Sequence, residues 1–151
     1  MIRGVFASIV VGTDGSETAG EAVRQAVELA RTVGARLHVV TAYEPVSAAR
    51  VRSAARHAPM APEWALAERE EVDATLEAAA AVAREAGVPV EVYARQGDPA
   101  DAVVDVAEEQ NANLIVVGNK GMTGAKRFLL GSVPNRVSHH APCSVLIIRT
   151  S

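Results

Sequence analysis

The chain has 151 residues, the size of one domain with one buried core. Apolar residues make up 49% but aromatics only 3%, so Ala, Val, Leu and Ile must build the core, as suits helices packed on a parallel sheet. A net charge of −3 offers no general attraction to nucleic acid or anionic membranes, and no apolar run approaches the roughly 20 residues that span a bilayer.

Cys143 is alone, so no internal disulfide can form and nothing points to an oxidising compartment. Arg3 is followed by an apolar stretch that stops at Gly12-Thr13-Asp14, unlike a signal peptide. A soluble cytoplasmic protein is expected.

Short β-branched runs alternate with longer helix-period segments along the chain. Val5 to Val11 reads as a buried first strand, closed by Gly12-Thr13-Asp14-Gly15. Ser16 or Thr18 then caps a helix, with Glu21 three residues after Thr18 as in a capping box. Ala22, Val23, Ala26, Val27, Ala30 and Val33 share its inner face, and Gly34 ends it. Leu37 to Ala42 gives a second strand.

A second helix is expected from about Glu63 to Ala86, with Val72, Leu76, Ala79, Ala80 and Ala83 as its stripe and Trp64 anchoring its start. Val90, Val92 and Ala94 alternate with polar residues, which predicts a third strand with one face less buried. Asp98-Pro99 starts a helix, with Asp at the cap, Pro in the first turn and Asp101 complementing the dipole. Val103, Val104 and Ala107 form its buried face. Leu114 to Val117 follows as strand four, then a glycine-rich segment, a short helix from about Ser132 to His140, and a last strand from Ser144 to Ile148.

Five strands interleaved with four helices imply a single α/β domain over 1–151, an open parallel sheet with helices on both faces. Ligands of such sheets bind outside the carboxyl ends of the strands, where strand order reverses. Asp14 follows strand one and the glycine-rich segment follows strand four. If these two strands are central neighbours, both features line one crevice.

Residues 118 to 132 read GNKGMTGAKRFLLGS, with Gly118, Gly121 and Gly131 followed by Ser132. Glycine lets backbone approach a phosphate closely, and the first N–H groups of a helix favour bound negative charge. A phosphate-bearing ligand is expected. The segment is neither a Walker A element nor a dinucleotide fingerprint, since neither GxxxxGK[ST] nor GxGxxG occurs.

The spacing Gly-x2-Gly-x9-Gly-Ser resembles the ATP-binding signature of the universal stress protein family. Val11-Gly12-Thr13-Asp14-Gly15-Ser16 resembles that family's N-terminal signature, and Ala141-Pro142-Cys143-Ser144-Val145-Leu146 its last strand. The resemblance implies an adenine-nucleotide alpha hydrolase-like fold: five parallel strands in order 3-2-1-4-5, in a homodimer joined through the last strand, Ser144 to Ile148. Left unpaired, the apolar residues of that edge would favour aggregation. The family divides into members that bind ATP and members that lack the glycine signature, and this chain resembles the first group.

The resemblance also implies roles for particular residues. Asp14 takes the nucleoside end of ATP, where a carboxylate accepts hydrogen bonds from hydroxyls or an amine. Ala42 reads adenine through its backbone. Gly118 and Gly121 let the chain pass close to ribose and phosphates. Gly131, Ser132 and the Val133 N–H bind phosphate at the helix start. The expected ligand is ATP with Mg²⁺, although ADP and a cyclic nucleotide remain open alternatives.

Lys120, Lys126 and Arg127 read as a solvated basic stretch outside the binding set, and residues 44–62 as a long irregular excursion with three prolines. His139 and His140 are adjacent on a helix and so make a poor chelating pair. Cys143 reads as a small core residue. No base or arginine finger for activating water is evident, so efficient hydrolysis is not expected. A nucleotide-dependent stress-response or regulatory module is the leading function. The alternatives are a slow ATPase or phosphotransferase, and a structural interaction protein with a vestigial site.

Overall fold

Strand β1 (Ser8–Gly12) lies at the centre of a five-stranded parallel sheet, and its composition explains why: Ile9, Val10 and Val11 are all fully buried. A strand covered on both faces needs no polar alternation. The computed structural model describes residues 5–43, 63–119 and 131–150. Within these, β1 is followed by α1 (Glu17–Val33), β2 (Arg36–Tyr43), α2 (Glu63–Glu85, side chains described from Glu70), β3 (Val90–Gln96), α3 (Pro99–Glu109), β4 (Leu114–Gly118), α4 (Ser132–His140) and β5 (Ser144–Ile148).

The strand order is β3-β2-β1-β4-β5, as expected. Ile9 pairs with Leu37 on one side and Leu114 on the other. Helices α1 and α2 cover one face, where Ala22, Val23, Ala26, Val27, Ala30, Val72, Leu76, Ala79 and Ala83 meet Ile9, Val11, Leu37 and Val39. Helices α3 and α4 cover the other, where Val103, Val106, Ala107 and Val137 meet Val10, Val40, Ile115 and Val117. Small alanines let the helices approach closely, and each fully buried Ile, Leu or Val contributes roughly 1.5–3 kcal/mol.

Some boundaries differ from the expected ones. The first strand starts at Ser8, because its ladder with β2 begins at Ser8↔Arg36 and Val5 is 82% exposed. The cap of α1 is Ser16, whose Oγ accepts from the Ala19 N–H at 3.2 Å. Glu21 closes no capping box and instead binds Arg24 and Gln25. Strand β3 is less buried on both faces, with Val92 43% exposed, since it is an edge strand. Residues 44–62 and the side chain of Trp64 lie outside what is described.

Asp98 caps α3 as expected. Its Oδ1 accepts from the Ala100 and Asp101 N–H groups at 2.9 and 3.1 Å, and its Oδ2 pairs with Arg136 of α4 at 2.6 Å. Asp98→Ala removes cap and ion pair together. The cap dominates, because an exposed ion pair is worth little, and a loss of about 1–2 kcal/mol is expected by thermal unfolding.

A polar chain crosses the β2–β3 edge. His38 is only 2% exposed. Tyr93 donates its O–H to Glu91 Oε2 at 2.7 Å, so its oxygen accepts from His38 Nδ1 at 3.0 Å. The imidazole is therefore the Nδ1–H tautomer. Burial pushes the His38 pKa down, the neighbouring Glu91 carboxylate opposing. Burial and the Glu91 contact push the Tyr93 phenol up to about 12. With its folded pKa below the ordinary value of about 6.5, His38 binds fewer protons folded than unfolded. Its contribution is fully present above that value and is lost as pH falls toward the folded pKa. The unfolding midpoint of the wild type should therefore drop more steeply than that of His38→Gln between pH 7.5 and 5.5. Parallel curves would show that His38 does not titrate there.

Candidate functional site

The carboxyl ends of β1 and β4 lie side by side, and the connections leaving them diverge, toward β2 from β1 and toward β5 from β4. That makes this the switch point where a crevice opens. The turn after β1 forms one lip. Its shape is set locally: Thr13 Oγ1 accepts from the Gly15 N–H at 3.2 Å and Asp14 Oδ1 from the Ser16 N–H at 2.9 Å. Gly15 has φ +83°, the left-handed region that suits glycine. Asp14 is exposed at this lip.

The turn is also held from outside. Thr13 N–H donates to Val40 O at 2.9 Å, and the buried Thr41 hydroxyl donates to Thr13 O at 3.0 Å. Thr41 is 4% exposed, so this hydrogen bond satisfies a group that burial would otherwise penalise. Thr75 of α2 backs Gly15 so closely that a Cβ there would meet its Oγ1 at 2.7 Å.

Ala42 lies near the carboxyl end of β2 with its side chain packed against the α3 side of the sheet. Its backbone direction follows from strand alternation. Tyr43 O and Leu37 N are bonded on the β3 side, while Val40 O is bonded by Thr13 on the β1 side. Ala42 therefore turns its N–H and C=O toward the β1 side, two residues beyond the Val40–Thr13 bond.

The opposite lip is the end of β4 and the start of α4. Gly118 closes β4, with a Cβ position 3.4 Å from Thr150 Cγ2 and 3.8 Å from Ala22 Cβ. Helix α4 must run back against β4 to start the parallel strand β5, so its N-terminus lies at the crevice end. Gly131 is its N-cap at φ −60° and ψ 164°, and it has no side chain with which to accept from the first turn. Pro134 carries no N–H, and Asn135 N–H is spent on Gly131 O at 3.1 Å. The Ser132 and Val133 N–H groups thus head the helix without a capping side chain, at its positive dipole end.

Asp14, Ala42, Gly118, Gly131, Ser132 and Val133 thus all lie at one end of the sheet. Gly121, Lys120, Lys126 and Arg127 lie outside the described residues. His139 and His140 are exposed at the far end of α4. Cys143 is half-buried, and burial pushes its thiol pKa up. Among the described residues no group of three His, Cys, Asp or Glu side chains is arranged to hold a metal, and no helix is long and apolar enough to cross a membrane.

Sequence reasoning overlooked Thr41, Thr75 and Asn119. A hydroxyl inside the apolar run of β2 was a signal for Thr41. Thr75 carried none, because its role depends on where α2 packs. Asn119 stood inside the glycine-rich segment beside Gly118, but its bonds to Thr150 join residues 31 apart.

Comparisons agree with this fold. The model of the universal stress protein family matches residues 6–149. Universal stress protein YxiE of Bacillus subtilis is 35% identical over 150 residues, covering 96% of this chain and all of the relative. A universal stress protein of Thermus aquaticus is 37% identical over 153 residues, covering 96% of this chain and all of the relative. Among solved structures, a universal stress protein in complex with cAMP is 35% identical, with TM-score 0.72 and coverage of 97% of this chain and 98% of the other. One from Archaeoglobus fulgidus in complex with dAMP is 27% identical, with TM-score 0.65 and coverage of 95% and 98%. The chain, matched along nearly its whole length by model, relatives and fold, belongs to the universal stress protein family.

Proposed function

We propose that the crevice binds an adenine nucleotide, ATP with Mg²⁺, and that the protein is a cytoplasmic, nucleotide-dependent regulatory module of the ATP-binding subgroup. The observation that carries this reading is the start of α4, where a side-chain-free cap leaves the Ser132 and Val133 N–H groups at the crevice end of the sheet. Asp14 on the other lip suits the nucleoside, as a carboxylate accepts from ribose hydroxyls and would repel phosphate. The Ala42 backbone edge offers a donor and an acceptor for adenine. The cAMP and dAMP complexes support the same ligand class, since both ligands contain adenine, a sugar and a phosphate.

The test is mass spectrometry of small molecules released from the purified, denatured protein. An adenine nucleotide in near-stoichiometric amount is expected. If the site is emptied by purification, titration with ATP should still show binding, and no binding at millimolar ATP would reject the reading.

The same reading includes a homodimer through β5. Leu146 is 39% exposed on this edge strand, and Val145 and Ile147 are only half-buried. An open apolar edge invites pairing. Light scattering at micromolar concentration should give twice the chain mass, and Leu146→Lys should shift it toward the monomer.

A further inference from the structure

The end of β4 is tied to the last residues of the chain by one side chain. Register pairs Gly118 with Ile148. Asn119, the next residue, donates its backbone N–H to Ile148 O at 3.0 Å. Its side-chain Oδ1 accepts from both the Thr150 N–H and the Thr150 hydroxyl, each at 2.9 Å. The backbone N–H can only donate, so the acceptor must be the amide oxygen and the orientation of the Asn119 side chain is settled. These bonds are partly shielded from water, where each is worth more than at an open surface.

Three hydrogen bonds thus hold Asn119, the residue that follows β4 at the crevice end of the sheet. Thr150 also closes the space beside Gly118, with its Cγ2 3.4 Å from the Cβ position there. We infer that Asn119 is a positioning residue of the nucleotide site, fixing the end of β4 at Gly118 through Thr150, so that the C-terminal residues support the β4 lip on the phosphate side of the crevice. The inference rests on the nucleotide reading above. It assigns Asn119 and Thr150 no contact with the ligand.

The lip concerned is the phosphate side, whereas the nucleoside side is built from β1 and β2. Loss of the anchor should therefore weaken ATP far more than adenosine. Titration calorimetry with ATP and with adenosine, well below the unfolding temperature, tests this. Asn119→Ala is expected to raise the Kd for ATP about tenfold, the size of one or two ordinary hydrogen bonds, and that for adenosine less than about twofold. Thr150→Val, which keeps the N–H bond and loses only the hydroxyl, should cost ATP binding about threefold, and Thr150→Ser should recover most of that loss. If Asn119→Ala fails to fold, the two Thr150 variants carry the test alone.

Equal losses for ATP and adenosine would mean that Asn119 merely supports the fold, and unchanged ATP binding would also overturn the inference. Wild-type protein that binds neither ligand overturns the nucleotide reading itself. That failure is seen before any variant is made, so the two are distinguishable.

Discussion

Gly15→Ala is expected to lower stability by several kcal/mol and to abolish measurable nucleotide binding at micromolar protein. Two independent penalties combine. The residue has φ +83°, where an L side chain costs roughly 1–2 kcal/mol. The new Cβ would also lie 2.7 Å from Thr75 Oγ1, a distance at which something must move. Either the turn carrying Asp14 shifts or α2 does, and a packed core resists the second.

The double variant Gly15→Ala/Thr75→Ala separates the penalties. With the Thr75 hydroxyl and methyl gone, the nearest atom is the Cβ of residue 75 at 3.6 Å, an ordinary contact. Thermal unfolding of the double variant should show only the conformational cost, so the two changes should be non-additive by more than 1 kcal/mol, a rough value for neighbours in contact. Additive effects would mean that the turn and α2 do not restrain each other.

ATP at a hundred times its Kd should raise the unfolding midpoint of the wild type by about 5–10 °C. The estimate follows from about 2.7 kcal/mol of binding linkage and roughly 2–4 °C per kcal/mol for a domain of this length. Asp14→Asn should cut the shift sharply. An asparagine oxygen can still accept from the Ser16 N–H, which Asp14 Oδ1 does at 2.9 Å, so the turn survives. On the nucleotide reading, the charge that would strengthen hydrogen bonds from ribose disappears, and at least tenfold in affinity should go with it. A wild type whose midpoint does not move with ATP, ADP or cAMP at millimolar concentration would remove nucleotide binding from consideration.

Local signals were strong wherever the chain decides its own structure. The Asp98 cap and the β5 boundaries follow from a capping residue and a run of apolar, largely β-branched side chains that act within a few positions. The expected start of β1 at Val5 differs from the observed one, because Val5 to Ala7 are apolar like a strand, yet the paired register begins at Ser8 and Val5 stands exposed. The capping box at Thr18 failed for a similar reason. Two candidate caps stood two residues apart, and Ser16 reached the open N–H of Ala19 first.

The candidate site was half legible. The glycines and the helix start at Gly118, Gly131 and Ser132 suggested a phosphate-bearing ligand, and the family resemblance implied the nucleoside end at Asp14. That they lie at one end of one sheet depends on β1 and β4 being neighbours, which alternation alone does not specify. The family resemblance supplied the strand order, and the Ile9↔Leu114 pairing bears it out.

By itself, then, the sequence determined the alternation of strands and helices, the apolar faces and the glycines that leave backbone uncovered, because propensity, capping and periodicity are local effects. Only the tertiary structure decided what stands behind those residues. Thr75 behind Gly15, Thr41 behind Thr13 and Thr150 behind Asn119 come from 60, 28 and 31 positions away. Such partners are set by how helices settle on a twisted sheet, where every close contact depends on the packing of the whole core.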